Sequence, residues 1–338
     1  MPLLYCAPSI APPNLFRRWR LAFFALLVCG LASAIDAAEP GAKKPSAQTK
    51  RPTPAEPAVA ATVGKEPVYV AEVDDVLAGT RQARSTGSPP AELRGPALAQ
   101  AINRRLVAQY LMQHGYAIDD EETDELIKEL KRKLETQKLT YDEFLERHGF
   151  NETIVRRRLQ WDALWSQFLK NEANDEALAA FFQRHQRDYD GSELRVSHIL
   201  WPVKPTDDPT RLAAALEEAD DIRAKIVGGK MTFAEAAQKY SAGPSRRKSG
   251  DLGFIPARDV MSEAFSKAAF TLDKGGLSKP VVDQFGVHLI TCTDIKPGER
   301  TWREARRELV DAFAREKFLE LADAQRKQVP VKIVDGVQ

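Results

Sequence analysis

The sequence predicts an α+β domain, a small antiparallel sheet with flanking helices, attached to an all-α module that a C-terminal helix completes. Two observations carry this reading. Arg195-Val-Ser-His-Ile-Leu200 and Phe285-Gly-Val-His-Leu-Ile290 each set one histidine among β-branched and aliphatic residues, the pattern of a buried strand. Residues 96–182, by contrast, repeat their apolar side chains every third or fourth position, the period of an amphipathic helix.

A chain of 338 residues has room for more than one domain, at about 100–200 residues each. Lys and Arg total 49 against 48 Asp and Glu, so no global field recruits nucleic acid or an anionic membrane. Residues 1–34 have the form of a secretion signal: Arg17, Arg18 and Arg20 precede an apolar run at 21–31, and Ala32-Ser-Ala34 offers small residues for cleavage. The apolar run is short of the ~20 residues that a membrane span needs, although an uncleaved anchor stays an alternative. Val28 stands where a lipid-attachment motif wants Gly, Ala or Ser, which argues against lipidation of Cys29. With Cys6 and Cys29 in this segment, Cys292 is alone in the remaining chain and has no internal disulfide partner. It reads as a small residue packed on the sheet.

Residues 35–61 are rich in Ala, Pro, Lys and Thr and nearly free of large apolar side chains, so a disordered linker is expected there. The helical module is expected over 62–190, opening with a short strand at 63–70. Leu98, Ile102, Leu106 and Tyr110 form one stripe, and Gly115 stops that helix. Asp119 with Glu122, and Thr140 with Glu143, have the spacing of capping boxes ahead of Leu126–Leu134 and Phe144–Leu145. A longer helix carries Ile154, Val155, Leu159, Trp161, Leu164, Trp165 and Phe168, and Asn174 caps another with Leu178, Phe181 and Phe182. The Trp161, Trp165 and Phe168 stripe reads as core in preference to a peptide-binding surface. Arg156-Arg157-Arg158 reads as a solvated helix face.

The period changes over 191–296. A strand at 194–200 leads to a helix at 211–227, and Thr232 with Glu235 opens a short helix. The basic loop 241–253, a helix near 262–270 and closing strands to 295 follow. Residues 297–338 hold a helix opened by Thr301 and Glu304, then the strand-like 329–334. A single amphipathic helix is unstable alone in water, so this one is expected to pack on the helical module.

Two histidine strands with Gly250-Asp-Leu-Gly-Phe254 between them resemble the parvulin (PpiC, rotamase) family of peptidyl-prolyl cis/trans isomerases over about 194–294. The order of signal, linker, helical module, this domain and returning helix is similar to the SurA-type and PrsA-type extracytoplasmic foldases, and the helical module to their N-terminal chaperone module. The resemblance implies a periplasmic or otherwise exported isomerase acting on unfolded or partly folded exported polypeptides at X–Pro bonds. It implies no nucleic acid, no membrane span in a cleaved chain and no cofactor. It further implies that Leu252, Met261 and Phe265 line a proline slot, with His198 and His288 as the paired active-site histidines. No Cys or spaced carboxylate near them completes a metal site.

Two positions depart from the family pattern. Gly243 stands in Tyr240-Ser-Ala-Gly-Pro-Ser245 where many parvulins carry Cys or Asp, leaving Ser241 or Ser245 to fill the gap. Asp283, five before His288, stands where Thr or Ser is usual, and an aspartate there can hydrogen-bond an imidazole. Lys204 is accompanied by Asp207 and Asp208 in the loop after the first strand, which speaks against phosphate selectivity. Arg246, Arg247 and Lys248 read as a solvated loop, with a preference for acidic substrate flanks as the alternative. The competing functional reading is a weakly catalytic or non-catalytic chaperone with a degenerate parvulin domain.

Overall fold

The computed structural model describes residues 57–78, 93–204 and 208–334. The expected signal (1–34) and most of the expected linker lie outside the described residues. The chain divides into two compact units, one running to Phe168 and resuming at Leu319, the other Leu169–Phe318. Both divisions fall inside long helices, whereas the sequence reading placed limits near 190 and 297.

In the first unit, β1 (Val59–Val63) and β2 (Glu66–Tyr69) form an antiparallel hairpin, and β7 (Val331–Ile333) pairs with the other edge of β1. β1 begins inside the stretch read as linker, and a hairpin replaces the single strand expected at 63–70. The reason is tertiary. Ala60 and Ala61 are fully buried between strands and against α1 (Val70–Ala78) and α2 (Arg94–Gln113), where a small side chain fits and a large one is not needed. Their partner β7 comes from the far end of the chain, beyond the reach of any local pattern.

α3 (Asp120–Thr136), α4 (Tyr141–His148) and α5 (Glu152–Glu172) follow. The Asp119 carboxylate accepts the Glu122 N–H at 2.7 Å, and Thr140 with Glu143 closes a reciprocal capping box. Ile127, Leu130, Leu134, Phe144, Phe150, Ile154, Val155 and Leu159 meet in one core. On α5 the rings of Trp161, Trp165 and Phe168 stack in sequence, at centroid distances of 5.5 and 5.1 Å. Phe168 is buried, and both tryptophans are half-buried.

Of the three consecutive arginines, Arg156 keeps to an exposed ion pair and the other two turn inward. Arg156 pairs with Asp124 at 2.6 Å, Arg157 donates to the Pro67 carbonyl at 3.1 Å, and Arg158 pairs with Asp75. One helical turn later, Asp162 has a buried Oδ2 without a hydrogen-bond partner.

In the second unit, α6 (Asp175–Arg184) and α7 (Gln186–Tyr189) bury Leu178, Phe181, Phe182 and Tyr189 against Ala305 and against Leu309 and Phe313 of α11 (Arg306–Arg326). The remainder is a four-stranded antiparallel sheet of order β4-β3-β6-β5. Its strands are β3 (Glu193–Pro202), β4 (Asp251–Pro256), β5 (Val281–Asp283) and β6 (Gly286–Lys296). One face packs Ile199, Trp201, Val287 and Leu289 against α8 (Pro209–Val227) and α9 (Phe233–Tyr240). The other packs Leu194, Val196, Ile290 and Cys292 against Phe265, Ala269 and Phe270 of α10 (Glu263–Phe270). With helices on both faces, β3 and β6 read as nearly continuous apolar runs, because alternation has no solvated face to mark. No helix among the described residues is long and apolar enough to cross a membrane.

Burial pushes the Asp162 carboxyl up from 3.8 to about 6, against the pull of Arg158 and Arg104. Its folded-state value therefore exceeds the unfolded one. The cost of ionising it is absent below the unfolded value, grows as pH rises toward about 6, and stays constant above; at ~1.4 kcal/mol per pH unit it approaches 3 kcal/mol. Asp162→Asn is expected to raise the unfolding midpoint more at pH 7.5 than at pH 4.5 in thermal melts. Equal shifts at both values would refute this account.

Candidate functional site

The site lies on the α10 face of the second unit's sheet. β3 and β6 pair antiparallel with His198 opposite Ile290 and Leu200 opposite His288, so the two histidines are diagonal neighbours on one face. Their rings lie 5.4 Å apart, nearly parallel, with 3.2 Å between the two Nδ1 atoms. The third strand holds His198 by its backbone: the His198 N–H donates to the Gly250 carbonyl at 3.0 Å. Gly250 has φ +84°, and a Cβ there would stand 2.4 Å from the His198 carbonyl oxygen, so only glycine allows the approach. Asp251 beside it accepts the Gly253 N–H at 3.0 Å and pairs with Arg195 at 2.8 Å. The Gly-Asp-Leu-Gly stretch is thus the clamp that seats β4 along β3.

Asp283 ends β5, and its carboxylate is the hub of the site. Oδ1 accepts from His288 Nε2 at 2.9 Å and from the Phe285 N–H at 2.8 Å, while Oδ2 accepts from the Ser262 hydroxyl at 2.6 Å. The Asp283 and His288 side chains are each only 3% exposed. Burial opposes ionisation of Asp283, but the Ser262 and Phe285 hydrogen bonds and the His288 ring outweigh it and hold the carboxyl below its ordinary value. A carboxylate only accepts, so His288 Nε2 carries a proton. When His288 Nδ1 accepts from His198 Nδ1–H, His198 Nε2 is left with a bare lone pair. That nitrogen is buried and has no hydrogen-bond partner among the described residues.

Gly243 explains the missing partner. A Cβ built on it would lie 3.3 Å from His198 Nε2 and 3.4 Å from Ser241 Oγ, so a polar side chain at this position would point at the bare nitrogen. Neither nearby serine substitutes for it. Ser241 Oγ is taken up by the backbone N–H groups of Leu200 and Gly243, both at 3.2 Å, and Ser245 Oγ is itself buried without a partner.

The three residues expected to line the slot share one core cluster, and Phe265 carries that cluster to the histidines. Phe265 is fully buried and stands edge-on to both imidazoles, 5.9 Å from His198 and 5.5 Å from His288. Leu252 and Met261 are half-buried against the same cluster. Sequence reasoning missed Ser262. It caps α10 by accepting the Phe265 N–H at 3.2 Å and donates its proton to Asp283, tying the slot helix to the carboxylate. Its position one residue before a helix was the available signal. In the basic loop, Arg246 folds back onto the Gln238 carbonyl at 2.5 Å, while Arg247 and Lys248 are exposed.

The sequence matches the family described as Rotamase: PPIC-type PPIASE domain over residues 198–294. Among curated proteins it is 29% identical over 194 residues to the foldase protein PrsA of Bacillus subtilis, covering 57% of this chain and 59% of that one. It is 36% identical over 152 residues to the chaperone SurA of Photorhabdus laumondii, covering 43% of this chain and 34% of that one. The chain thus spans about three fifths of the PrsA relative's length and one third of the SurA relative's. Among solved structures, the peptidylprolyl isomerase PrsA of Bacillus anthracis aligns with 68% of this chain and 96% of its own, at 21% identity and TM-score 0.36.

Burial, and next the neighbouring His288, push His198 down to about 4, with Asp283 opposing. Its folded-state value lies below the unfolded one. Stability should therefore hold above pH 6.5 and fall as pH drops from 6.5 toward 4, where the unfolded chain takes a proton that the native ring refuses. Nitrogen-detected NMR should show His198 neutral with Nδ1 protonated down to about pH 4. A His198 titration near 6.5 would contradict the arrangement.

Proposed function

Residues 198–294 of this chain form a PPIC-type PPIase domain homologous to those of the PrsA and SurA foldases, and from that premise we propose that the protein is a peptidyl-prolyl cis/trans isomerase that assists the folding of exported polypeptides. The observation that carries the proposal is the Asp283–His288–His198 chain of hydrogen bonds standing edge-on to Phe265.

An X–Pro bond turns slowly because its amide resonance must be broken, a barrier of about 18–20 kcal/mol, and the uncatalysed step takes tens to hundreds of seconds. Catalysis needs an apolar seat for the pyrrolidine ring and a polar wall that favours the twisted amide over the planar one. No bond to hydrogen has to break. In this reading Leu252, Met261 and Phe265 seat the proline, and the imidazoles form the wall. Asp283 fixes the ring orientation and the order of protons, so the rings need not reorganise as the amide twists. Ser262 couples the two parts, since it caps the slot helix and holds the carboxylate.

We assign the N-terminal helical module (62–190), completed by the C-terminal segment (297–338), to holding unfolded clients, as the foldase relatives suggest. The proposed site of action is extracytoplasmic, in the periplasm, a reading supported by the same relatives together with the form of residues 1–34.

A second reading is favoured by one specific feature: His198 Nε2 faces Gly243 and has no partner. A chaperone with a weakened isomerase site would show this.

Purified protein should accelerate cis-to-trans conversion of short X–Pro peptides, and His288→Ala or Met261→Ala should each cut kcat/KM by about tenfold or more, at least ~1.4 kcal/mol of transition-state stabilisation. Absence of acceleration across several X residues would reject the isomerase reading. Gly243→Ser gives the His198 Nε2 lone pair a hydroxyl donor in a backbone conformation that any residue adopts (φ −73°). A gain in isomerisation with client protection unchanged would support the weakened-site reading; no gain would oppose it.

A further inference from the structure

We propose that a recess between α1, α2 and α5 of the helical unit receives a single carboxylate group of a bound polypeptide. The recess is separate from the histidine site and encloses about 50 Å³, room for a group of a few heavy atoms. Arg104, Arg105, Arg157 and Arg158 line it, against only two carboxylates, Glu72 and Asp75.

The pairing within this set is uneven. Arg105 is held by Glu72 at 2.8 Å and Glu66 at 3.3 Å, and Arg158 is held by Asp75. These contacts occupy the carboxylates. Arg104 has Asp75 only at 4.0 Å, outside hydrogen-bond range. Arg157 has no carboxylate partner among the described residues; it donates to the Pro67 carbonyl and lies over the Tyr69 ring at 5.2 Å. Two guanidiniums therefore face the recess without a hydrogen-bonded anion. In addition, Arg105 Nε is buried and has no acceptor.

The unmet donors select the ligand. Four arginines stand against Glu72, Asp75 and the Glu66 that also holds Arg105, and Asp162 behind the wall interacts with both Arg158 and Arg104, so no large excess charge draws a polyanion. What is unmet is hydrogen bonding at Arg104 and at Arg105 Nε, and the planar guanidinium fork matches a single carboxylate in shape. Burial lowers the Arg104 pKa, the expected cost of a guanidinium with too little counter-charge. An incoming carboxylate brings acceptors for Arg104 and for the orphaned Arg105 N–H.

Trp161 lines the same recess and begins the stacked series Trp161, Trp165, Phe168, an apolar track leading away from the arginines along α5. A polypeptide with its carboxylate in the recess would have this track to lie against. That the carrier is a polypeptide rests on the foldase reading; the argument from unmet guanidinium donors does not.

The test uses the full protein and three fluorescein-labelled unstructured peptides of one apolar sequence. One has a free C-terminal carboxylate, one is amidated, and one is amidated with an internal glutamate. The free carboxylate should bind at least about tenfold more tightly than the amidated form, ~1.4 kcal/mol. Arg104→Gln and Arg157→Gln should each abolish that preference, Arg104→Lys should keep part of it, and isomerisation of a short X–Pro peptide should be unchanged in all three. Binding of the glutamate peptide as tight as the free-terminus peptide also supports the proposal and names the side chain as the source. Equal binding of the free and amidated peptides, no binding of any peptide, or full preference in folded glutamine variants would overturn it. Loss of isomerisation in the unsubstituted protein would reject the foldase reading and leave the carboxylate preference standing, so the two failures are distinguishable.

Discussion

The antiparallel pairing of β3 with β6 is the constraint on which the second unit depends. It runs from Glu193 opposite Lys296 to Pro202 opposite Gly286 and sets the two histidines on a diagonal. Side chains alternate across a strand, so a slip of one residue would turn one imidazole toward α8 and α9 and abolish the pair. The ends of the ladder resist that slip. Gly286 has φ +140°, and its missing Cβ would otherwise stand 2.1 Å from the Trp201 carbonyl oxygen, which fixes where β5 turns into β6. At the other side, Gly250 fixes where β4 meets β3. The register is locked by backbone contacts that accept only glycine.

The electrostatics of the site follow from that register. Two imidazoles and a carboxylate are drawn out of water onto one sheet face, where isolated charge is costly and hydrogen bonds are strong. Three donors hold Asp283 ionised, and its negative charge orders the protons along the row of rings. The order ends at His198 Nε2, which is buried beside Gly243 without a partner. An unmet buried acceptor of this kind costs about 1–3 kcal/mol. A network that is complete at one end and open at the other suits an isomerase that needs no proton transfer. It would not suit a reaction that draws a proton through the row.

The helical unit keeps its charges by a different device. Two of the arginines that a linear reading assigns to a solvated helix face are drawn inward by the Pro67 carbonyl and Asp75, each supplied by another element. Alanines that read as linker become the middle strand of a sheet because β7 returns from the chain's end to pair with them. In both cases the residue type is ordinary, and distant partners decide its environment.

Much of the second unit was legible in advance. Histidines framed by β-branched residues, a Gly-Asp-Leu-Gly turn, and Thr and Glu at capping distance are local signals, because strands, tight turns and caps are set by residues within a few positions of one another. The same locality made the resemblance to the PPIC-type PPIase domain and the α+β class recognisable, and it brought Leu252, Met261, Phe265, His198, His288 and Asp283 to attention. Tertiary structure alone decided the rest: which nitrogen of each ring faces which neighbour, that Ser262 serves both α10 and Asp283, that neither Ser241 nor Ser245 reaches His198, and that two arginines of the helical unit lack hydrogen-bonded counter-ions. These depend on angstrom-scale distances between groups far apart in the chain. A sequence records which groups are present, but their hydrogen bonds and charge balance exist only after folding has set those distances.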